Sequence, residues 1–180
     1  MKINCENPGT YPSQMDLARF LETFGGIYEH STWVAEQVYK RRSGSNLDTV
    51  RGMHEALSRV VNSSPMEKKL ALLRAHPDLA GKLAVTGKLS QNSSREQESA
   101  QLDRCSPEEF AELQGLNEAY KKRFGFPFIY AVLGKTRQEI LENFRGRVNN
   151  SKRQECAEAL NQVHRIAFMR LKPIFDDAAK

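Results

Sequence analysis

The amino-acid sequence predicts an all-α fold, a single compact domain of about seven to nine helices. Helix-start signals are frequent, apolar residues recur with the 3.6-residue period of helices, and the alternating pattern of strands is nearly absent. The chain of 180 residues is long enough for one domain with one core, and its 39% hydrophobic and 27% charged residues are an ordinary balance. Residues 1–12 are expected to form an irregular N-terminal segment.

The first half of the chain contains four predicted helices. The segment Ser13–Asp16 opens the first, which starts at Leu17 and is closed by the glycine pair at 25–26. Two more are expected at about 31–42 and 47–62. The segment Ser64–Glu67 begins the fourth, because it combines a capping serine, a proline at the first helical position and an early acid.

The second half contains three further helices with clear starts. Ser106–Glu109 repeats the serine–proline–acid signal and predicts a helix over 107–124, which Gly125 ends. Thr136–Glu139 and Ser151–Gln154 each place a hydroxyl residue three positions before a Glu or Gln, the pattern of a capping box. Each start leads into apolar residues at helical spacing.

Two segments depart from this regular pattern. Residues 82–103 are polar and predict a loop through the serines at 90, 93 and 94, followed by a short polar helix. Such loops carry function more often than packing. Residues 126–133 form an apolar run in which Pro127 argues against a central strand, so a short buried helix is expected there.

Composition excludes several classes of protein. The three cysteines, Cys5, Cys105 and Cys156, are far apart and form no C-x-x-C pair, so a disulfide framework and a structural zinc site are both disfavoured. No H-x-x-x-H pair is present to bind a metal, and no apolar run approaches a membrane span. No signal peptide or peroxisomal address is recognisable, so the cytoplasm is the expected location.

The net charge of +5 permits nucleic-acid binding without requiring it. The basic residues are scattered in short clusters near helix ends, where cations favour the negative pole of the helix dipole. They are interpreted mainly as solvated faces. The clusters are Arg41-Arg42, Lys121-Lys122-Arg123, Arg145 with Arg147, and Lys152-Arg153.

His76 is the most suggestive single residue, because it stands directly before Pro77. The residue before a proline is pushed out of the helical conformation, so His76 is expected where one helix stops and another begins. It could be an acid–base group. It could equally belong to a turn in which Asp78 caps a helix by accepting from backbone N–H groups. Glu96 has a similar alternative, as a solvated glutamate on a short helix.

The other histidines have structural interpretations. His30, His54 and His164 are isolated from one another in sequence; His54 is expected at the surface, and His164 is expected to be structural. The chain contains no Walker A loop, no G-x-G-x-x-G and no G-x-S-x-G elbow. Composition and spacing alone therefore indicate a helical domain with one candidate catalytic histidine.

The combination of motifs is more specific, and it resembles the OHCU decarboxylase family over about residues 17–171. OHCU is 2-oxo-4-hydroxy-4-carboxy-5-ureidoimidazoline, which is formed from urate by oxidation and hydrolysis. The segments that carry the resemblance are Ala75–Gly81, Ser93–Gln97, Asn117 with Tyr120, Phe124–Ile129, Glu29–Glu36 and Arg170-Leu171. One departure is Gln101, which stands where the family has glycine, so the local backbone there is expected to differ.

The resemblance implies an all-α homodimer that acts as a cofactor-independent carboxy-lyase on a small-molecule substrate. It would complete urate breakdown to (S)-allantoin, with no nucleic-acid or membrane partner and no metal. It also implies that His76 is the catalytic acid and that Glu96 and Arg170 belong to the same site. The family's substrate-contacting positions correspond here to Pro77, Ser93, Ser94, Arg95, Glu96, Gln97, Phe128, Ile129, Tyr130, Ala131 and Val132.

Two other functions compete with this hypothesis. A helical nucleic-acid-binding module is favoured by the net charge, but the basic residues form no single stripe. A protein-interaction module without catalysis would predict that substitutions of His76 or Glu96 change only stability. A salt-dependent mobility shift of DNA or RNA would support the first alternative.

Overall fold

The computed structural model describes residues 11–43, 46–80, 90–100, 102 and 105–176. In this part of the chain the regular structure is a 3₁₀ turn and eight α-helices, with no strand, which confirms the predicted all-α fold. The turn is Pro12–Gln14, and the helices are α1 (Leu17–Phe24), α2 (Trp33–Lys40), α3 (Val50–Asn62), α4 (Met66–Arg74), α5 (Gln91–Ser99), α6 (Pro107–Phe124), α7 (Arg137–Arg147) and α8 (Lys152–Asp176). None of them is both long enough and apolar enough to cross a membrane.

Side-chain caps explain why the helices begin where the sequence predicts. The Asp16 carboxylate accepts from the Arg19 N–H at 2.9 Å at the start of α1. Complete capping boxes begin α6 at Ser106 and α7 at Thr136. Each cap satisfies an N–H group that has no partner within the helix, a contribution of about 1 kcal/mol. The predicted starts of these three helices are therefore confirmed.

The predicted polar loop through residues 90–94 is wrong, because α5 already begins at Gln91. The Ser90 side chain accepts from the Ser93 N–H at 3.2 Å and caps the helix. Ser93 and Gln97, one turn apart, are both buried. A polar helix can thus bury one face when that face carries side chains whose hydrogen bonds are satisfied within the protein.

The predicted short helix in 126–133 is also wrong, since the described backbone there has no regular structure. Side chains replace the missing helical hydrogen bonds. Arg147 Nη1 donates to the Ile129 carbonyl at 2.8 Å, and the Ala131 N–H donates to Gln162 Oε1 at 3.1 Å. A buried irregular segment requires such partners, because an unpaired buried backbone group is costly.

The chain divides into two compact units, the first from residues 1–72 and 164–180 and the second from residues 73–163. In the first unit α1 packs on α2 and α2 packs on α3. Its core is built around aromatic contacts: the rings of Phe20 and Phe24 lie 4.9 Å apart, and those of Phe20 and Tyr39 lie 5.4 Å apart.

The second unit is organised around Tyr120, which is fully buried on α6. Its ring lies 4.5 Å from Phe124, 5.5 Å from Phe128 and 5.6 Å from Phe144. Phe128 stacks on Phe144 with 3.8 Å between the ring centroids. This aromatic cluster holds the irregular segment against α6 and α7, and aromatic pairs add to the free energy of burial.

Candidate active site

His76 lies just beyond the end of α4, in the second unit. The helix ends at Arg74, and the His76 N–H donates to the Leu73 carbonyl at 3.3 Å. The residue is 9% exposed, so it is nearly buried without being sealed from solvent. The prediction that a helix stops before Pro77 is confirmed; the helix expected after it, and Gly81, lie outside the described residues.

The Asp78 carboxylate forms an ion pair with α6. Its Oδ2 accepts from Lys121 Nζ at 2.5 Å, at a position where both side chains are partly exposed. The capping alternative predicted backbone N–H partners for this carboxylate. The observed contact ties the turn to the last full turn of α6, and the helix that Asp78 would cap lies outside the described residues.

Three amide side chains hold the backbone of residues 78–80. Gln97 accepts from the Ala80 N–H at 3.0 Å through Oε1, and its Nε2 donates to the Asp78 carbonyl at 3.4 Å. Gln114 Nε2 donates to the Ala80 carbonyl at 2.8 Å. Asn117 Nδ2 donates to the Leu79 carbonyl at 2.9 Å. The turn that carries His76 is therefore fastened to both α5 and α6.

Helix α5 carries Glu96 directly beside Gln97. Glu96 is half-buried, whereas Gln97 is 5% exposed. Adjacent residues on a helix are about 100° apart, so Glu96 lies at the edge of the face that Gln97 buries. The Gln97 contacts thus connect the helix that carries Glu96 to the turn that follows His76.

The other predicted contact residues differ in exposure. Pro77, Ser94 and Tyr130 are half-buried and Arg95 is exposed. The buried ones are Ser93, Gln97, Phe128, Ile129, Ala131 and Val132. Within the described part of the chain, the N–H groups of Tyr130 and Val132 donate no hydrogen bond, in contrast to that of Ala131. These two backbone donors could bind a ligand oxygen.

A buried ion pair supports the irregular segment, and the sequence interpretation missed it. Arg147 donates to the Glu155 carboxylate through Nε at 2.9 Å and through Nη2 at 2.5 Å, and Asn150 Nδ2 donates to it at 2.7 Å. The Tyr120 hydroxyl donates to the same carboxylate. Burial, together with this carboxylate, raises the pKa of Tyr120 well above its ordinary value. The prediction that Arg147 lies on a solvated face is wrong, because the charge pattern near a helix end does not indicate a buried partner such as Glu155.

Arg170 lies on α8 in the first unit. Its Nη1 donates to Glu29 Oε2 at 2.9 Å and to the Ile27 carbonyl at 3.4 Å. The Arg170 side chain is 5% exposed and that of Glu29 is 2% exposed. The Glu29–Glu36 motif of the sequence thus begins with the carboxylate that fixes this guanidinium. The next residue, His30, has a positive φ of 45°.

A second cluster of the first unit contains the other two histidines. His164 Nδ1 lies 2.7 Å from the Tyr28 hydroxyl, and its Nε2 lies 3.1 Å from Asn62 Oδ1. Burial, with a smaller effect of His54, lowers the pKa of His164 to about 4. His54 is half-buried and contacts the His164 carbonyl at 2.9 Å, so its predicted surface position is wrong. The predicted structural role of His164 agrees with these contacts.

No cluster of three or more metal-ligating side chains occurs among the residues that the structure describes. Cys105 and Cys156 are half-buried and are not part of a disulfide, while Cys5 lies outside those residues. Gln101, the departure from the family pattern, also lies outside them.

Comparison with known proteins identifies the family. The family model described as OHCU decarboxylase matches residues 13–172. A Haloferax volcanii protein named 2-oxo-4-hydroxy-4-carboxy-5-ureidoimidazoline decarboxylase is 41% identical over 163 residues, which are 91% of this chain and 93% of that protein. The Bacillus subtilis uric acid degradation bifunctional protein PucL is 37% identical over 92% of this chain but only 32% of its own length.

A solved structure agrees with the sequence comparison. The crystal structure of (S)-allantoin synthase superposes with a TM-score of 0.73 at 35% identity, over 92% of this chain and 53% of that chain. The present chain therefore spans about half the length of that solved protein. The match over residues 13–172 and the 41% identity show that the chain belongs to the OHCU decarboxylase family.

Proposed function

We propose that this member of the OHCU decarboxylase family converts 2-oxo-4-hydroxy-4-carboxy-5-ureidoimidazoline to (S)-allantoin and CO2, as a step in urate catabolism. The Haloferax volcanii relative bears the name of this activity at 41% identity. The structural observation that carries the proposal is the bridge formed by Gln97. It joins the turn of His76 to the helix of Glu96, so that an imidazole and a carboxylate are held on two fastened elements.

The substrate itself contains the group that can accept the electrons released by decarboxylation. The carbon that loses CO2 also carries a hydroxyl and neighbours a C=N bond. When the C–C bond to the carboxylate breaks, its electron pair forms a C=C bond to the neighbouring carbon. The π pair of the C=N bond moves onto nitrogen, which takes up a proton, and an enol intermediate remains. The hydroxyl then becomes a carbonyl as the neighbouring carbon takes up a proton. We propose that no metal or organic cofactor is needed, because the C=N bond accepts the electrons.

In this proposal His76 and Glu96 have separate roles in proton transfer. His76 is the catalytic acid, since an imidazole can deliver a proton near neutral pH. Glu96 accepts from the substrate hydroxyl as it becomes a carbonyl. Protonation on one face of the planar intermediate yields one enantiomer, so delivery of the proton by a nearly buried imidazole would account for a chiral product.

Arg170 is the third proposed catalytic residue. A cation that gripped only the reacting carboxylate would stabilise the ground state and slow the loss of CO2. We therefore assign Arg170 to the ring carbonyl or the ureido group. The ion pair with Glu29 fixes the guanidinium.

The substrate-contacting positions act in two ways. Where the side chain is accessible we propose direct contacts, and where it is buried we propose contacts through the backbone. Side-chain contacts are assigned to Pro77, Ser94, Arg95, Glu96 and Tyr130. Backbone contacts are assigned to Ser93, Phe128, Ile129, Ala131 and Val132, with the N–H groups of Tyr130 and Val132 as the donors that lack a partner in the described protein.

The resemblance also supports three wider proposals. The chain forms one functional domain, it assembles as a homodimer, and it works in the cytoplasm. Its partner is a small anionic metabolite and neither nucleic acid nor membrane.

The substrate is unstable, so the test generates it in situ from urate and follows its decay by ultraviolet absorbance and circular dichroism. With this protein present, decay should accelerate and the allantoin formed should be optically active. The His76→Asn protein serves as a matched sample at equal concentration. Decay at the spontaneous rate with racemic product would overturn the proposed function.

A further inference from the structure

We propose that Gln162 is a positioning residue that, together with Arg147, fixes the backbone of residues 129–132 and thereby presents the N–H groups of Tyr130 and Val132 to the substrate. This inference rests on the proposed function, which assigns those two N–H groups to the substrate. Neither Gln162 nor Arg147 belongs to the segments that carry the family resemblance, and neither is assigned a contact with the substrate.

The side chain of Gln162 reaches the irregular segment from α8 and is buried. Its Oε1 accepts from the Ala131 N–H at 3.1 Å, and its Nε2 donates to Glu158 Oε1, one turn earlier on α8, at 2.6 Å. The reversed amide would set a donor against the Ala131 N–H and an acceptor against the carboxylate. The two contacts therefore fix the orientation of the amide, which holds the Ala131 backbone against α8.

Arg147 holds the same segment from α7. Its Nη1 donates to the Ile129 carbonyl at 2.8 Å, and its guanidinium lies 4.6 Å from the centre of the Phe128 ring. The buried Glu155 carboxylate fixes this guanidinium by accepting from its Nε and Nη2. One side chain of α7 and one of α8 therefore hold two backbone positions that are two residues apart.

Contacts with the two helices alternate along the segment. The backbone of Ile129 and that of Ala131 are each bound by a helix side chain, whereas the N–H groups of Tyr130 and Val132 donate no hydrogen bond within the described part of the chain. Where backbone is extended, the polar groups of successive residues point to opposite sides. Fixing Ile129 and Ala131 on the side of the helices therefore directs the other two N–H groups to the opposite side, where a substrate oxygen can accept from them.

Loss of the Gln162 acceptor would change the position of these donors. The Ala131 N–H would stay buried without a partner, so the segment would have to shift to satisfy it. A misplacement of about 1 Å in an active site can cost on the order of a hundredfold in rate. A purely structural role of Gln162 would instead lower the Tm and leave the turnover of each folded molecule unchanged.

One single variant and one double variant separate these roles. Gln162→Met keeps the length of the side chain and removes the acceptor for the Ala131 N–H, so it should lower kcat/KM by about 10- to 100-fold. Gln162→Glu combined with Glu158→Gln restores the acceptor, because one carboxyl oxygen at position 162 faces the Ala131 N–H and the other faces the new amide at position 158. This double variant should stay within about threefold of the wild-type kcat/KM, since the positioning contact is kept.

Gln138→Met is the matched control. Gln138 is exposed on α7, and its Nε2 donates to Glu142 Oε1 at 3.0 Å. The substitution removes the same kind of contact between an amide and a carboxylate one turn apart, but this contact does not involve the backbone of residues 129–132. It should keep wild-type kinetics.

Hydrogen exchange of the Ala131 amide provides a measurement that does not depend on activity. The amide should exchange slowly in the wild-type protein and in the double variant, and faster in Gln162→Met, while the amides of α6 stay unchanged. Wild-type kcat/KM per folded molecule in Gln162→Met would overturn the proposal, as would slow Ala131 exchange in that variant. A double variant that protects the Ala131 amide but does not recover kcat/KM would overturn it too. An inactive wild-type protein would refute the proposed function, while Ala131 exchange would still decide whether Gln162 holds the segment.

Discussion

Arg170 and Glu29 form an ion pair that is almost completely withdrawn from solvent, with 2.9 Å between Nη1 and Oε2 and side-chain exposures of 5% and 2%. A buried pair of this kind is not strongly stabilising as a whole, because removing two charges from water offsets their attraction. Removing one partner is far more costly, since the remaining charge stays buried. The pair is thus better understood as a device that fixes the direction of the guanidinium.

Glu29→Gln should consequently destabilise the protein. Breaking a buried ion pair costs about 3–5 kcal/mol in the free energy of unfolding, which chemical denaturation measures. The control is Glu112→Gln, which breaks the exposed pair with Arg145 (N–O distances of 2.6 and 2.8 Å) and should change stability little because water screens it. Equal small effects of the two substitutions would show that the Glu29 carboxylate does not hold Arg170.

His76 and Glu96 should be required for turnover without being required for folding. His76→Asn and Glu96→Gln should each lower kcat by about 10²–10⁴-fold, the usual contribution of an acid–base group. Because both act on one transition state, the double variant should lose much less than the product of the two single losses.

Two controls accompany these variants. Glu98→Gln changes an exposed carboxylate on the same helix as Glu96, and His30→Asn changes a histidine whose side chain is 70% exposed. Both should retain wild-type turnover. If His76 only shapes the turn, His76→Asn will show a lower Tm with near-normal turnover per folded molecule. Such a result would remove the imidazole from the mechanism.

Gly125 should contribute to stability and turnover through its backbone conformation. It ends α6 at a φ of 79°, and a Cβ built there would meet nothing nearer than Arg74 Nη2 at 3.8 Å, so the constraint is conformational and not steric. Gly125→Val should lower the free energy of unfolding by at least about 1–2 kcal/mol, and Gly125→Asn by less, because asparagine tolerates this region. Turnover of Gly125→Val should also fall, since Phe126 and Phe128 follow directly.

Gly115, which has no positive φ, is the control for the Gly125 substitutions. Gly115 is exposed within α6 and has open space where a Cβ would lie. Gly115→Ala should raise the free energy of unfolding by up to about 1 kcal/mol. Thermal denaturation should therefore show a lower stability for the Gly125 variants and a higher stability for Gly115→Ala. An unchanged stability of Gly125→Val would show that the turn does not require a left-handed residue.

Stability should fall on acidification below about pH 6.5, partly because of His164. Its pKa is lowered to about 4 by burial, against an ordinary value of 6.5. Between these two values the unfolded chain binds a proton at this residue and the folded protein does not, so unfolding takes up protons and stability rises with pH. The neighbouring groups of the ring are Tyr28, His54 and Asn62.

His164→Asn should flatten the pH dependence of the Tm between about pH 4 and 6.5. The measurement is the Tm at a series of pH values and constant ionic strength. An unchanged slope in His164→Asn would show that this histidine titrates alike in the folded and unfolded chains.

Activity should survive exhaustive treatment with a chelator and dialysis without added cofactor. The reason is chemical, since the C=N bond of the proposed substrate accepts the electron pair of the breaking bond. Initial rates before and after treatment should agree within about twofold, less than the contribution of a single acid–base group. Loss of turnover that one metal ion restores would contradict this prediction.

The sequence by itself determined the helical architecture wherever the signal was local. The caps at Asp16, Ser106 and Thr136, and the left-handed end at Gly125, depend on residues within one turn of each other. Such contacts form in the same way in any tertiary setting, so pattern and capping predict them. The placement of His76 just after a helix follows from the restriction that Pro77 imposes on its neighbour.

Tertiary structure decided the elements whose partners are distant in sequence. The backbone of 126–133 is irregular because Arg147 and Gln162 supply its hydrogen bonds, and neither is recognisable from the apolar run itself. The polar helix α5 and the turn of His76 depend on each other through Gln97, 17 residues from Ala80. Local propensity contains no information about such partners, because a buried polar group is stable only where the completed fold places its complement.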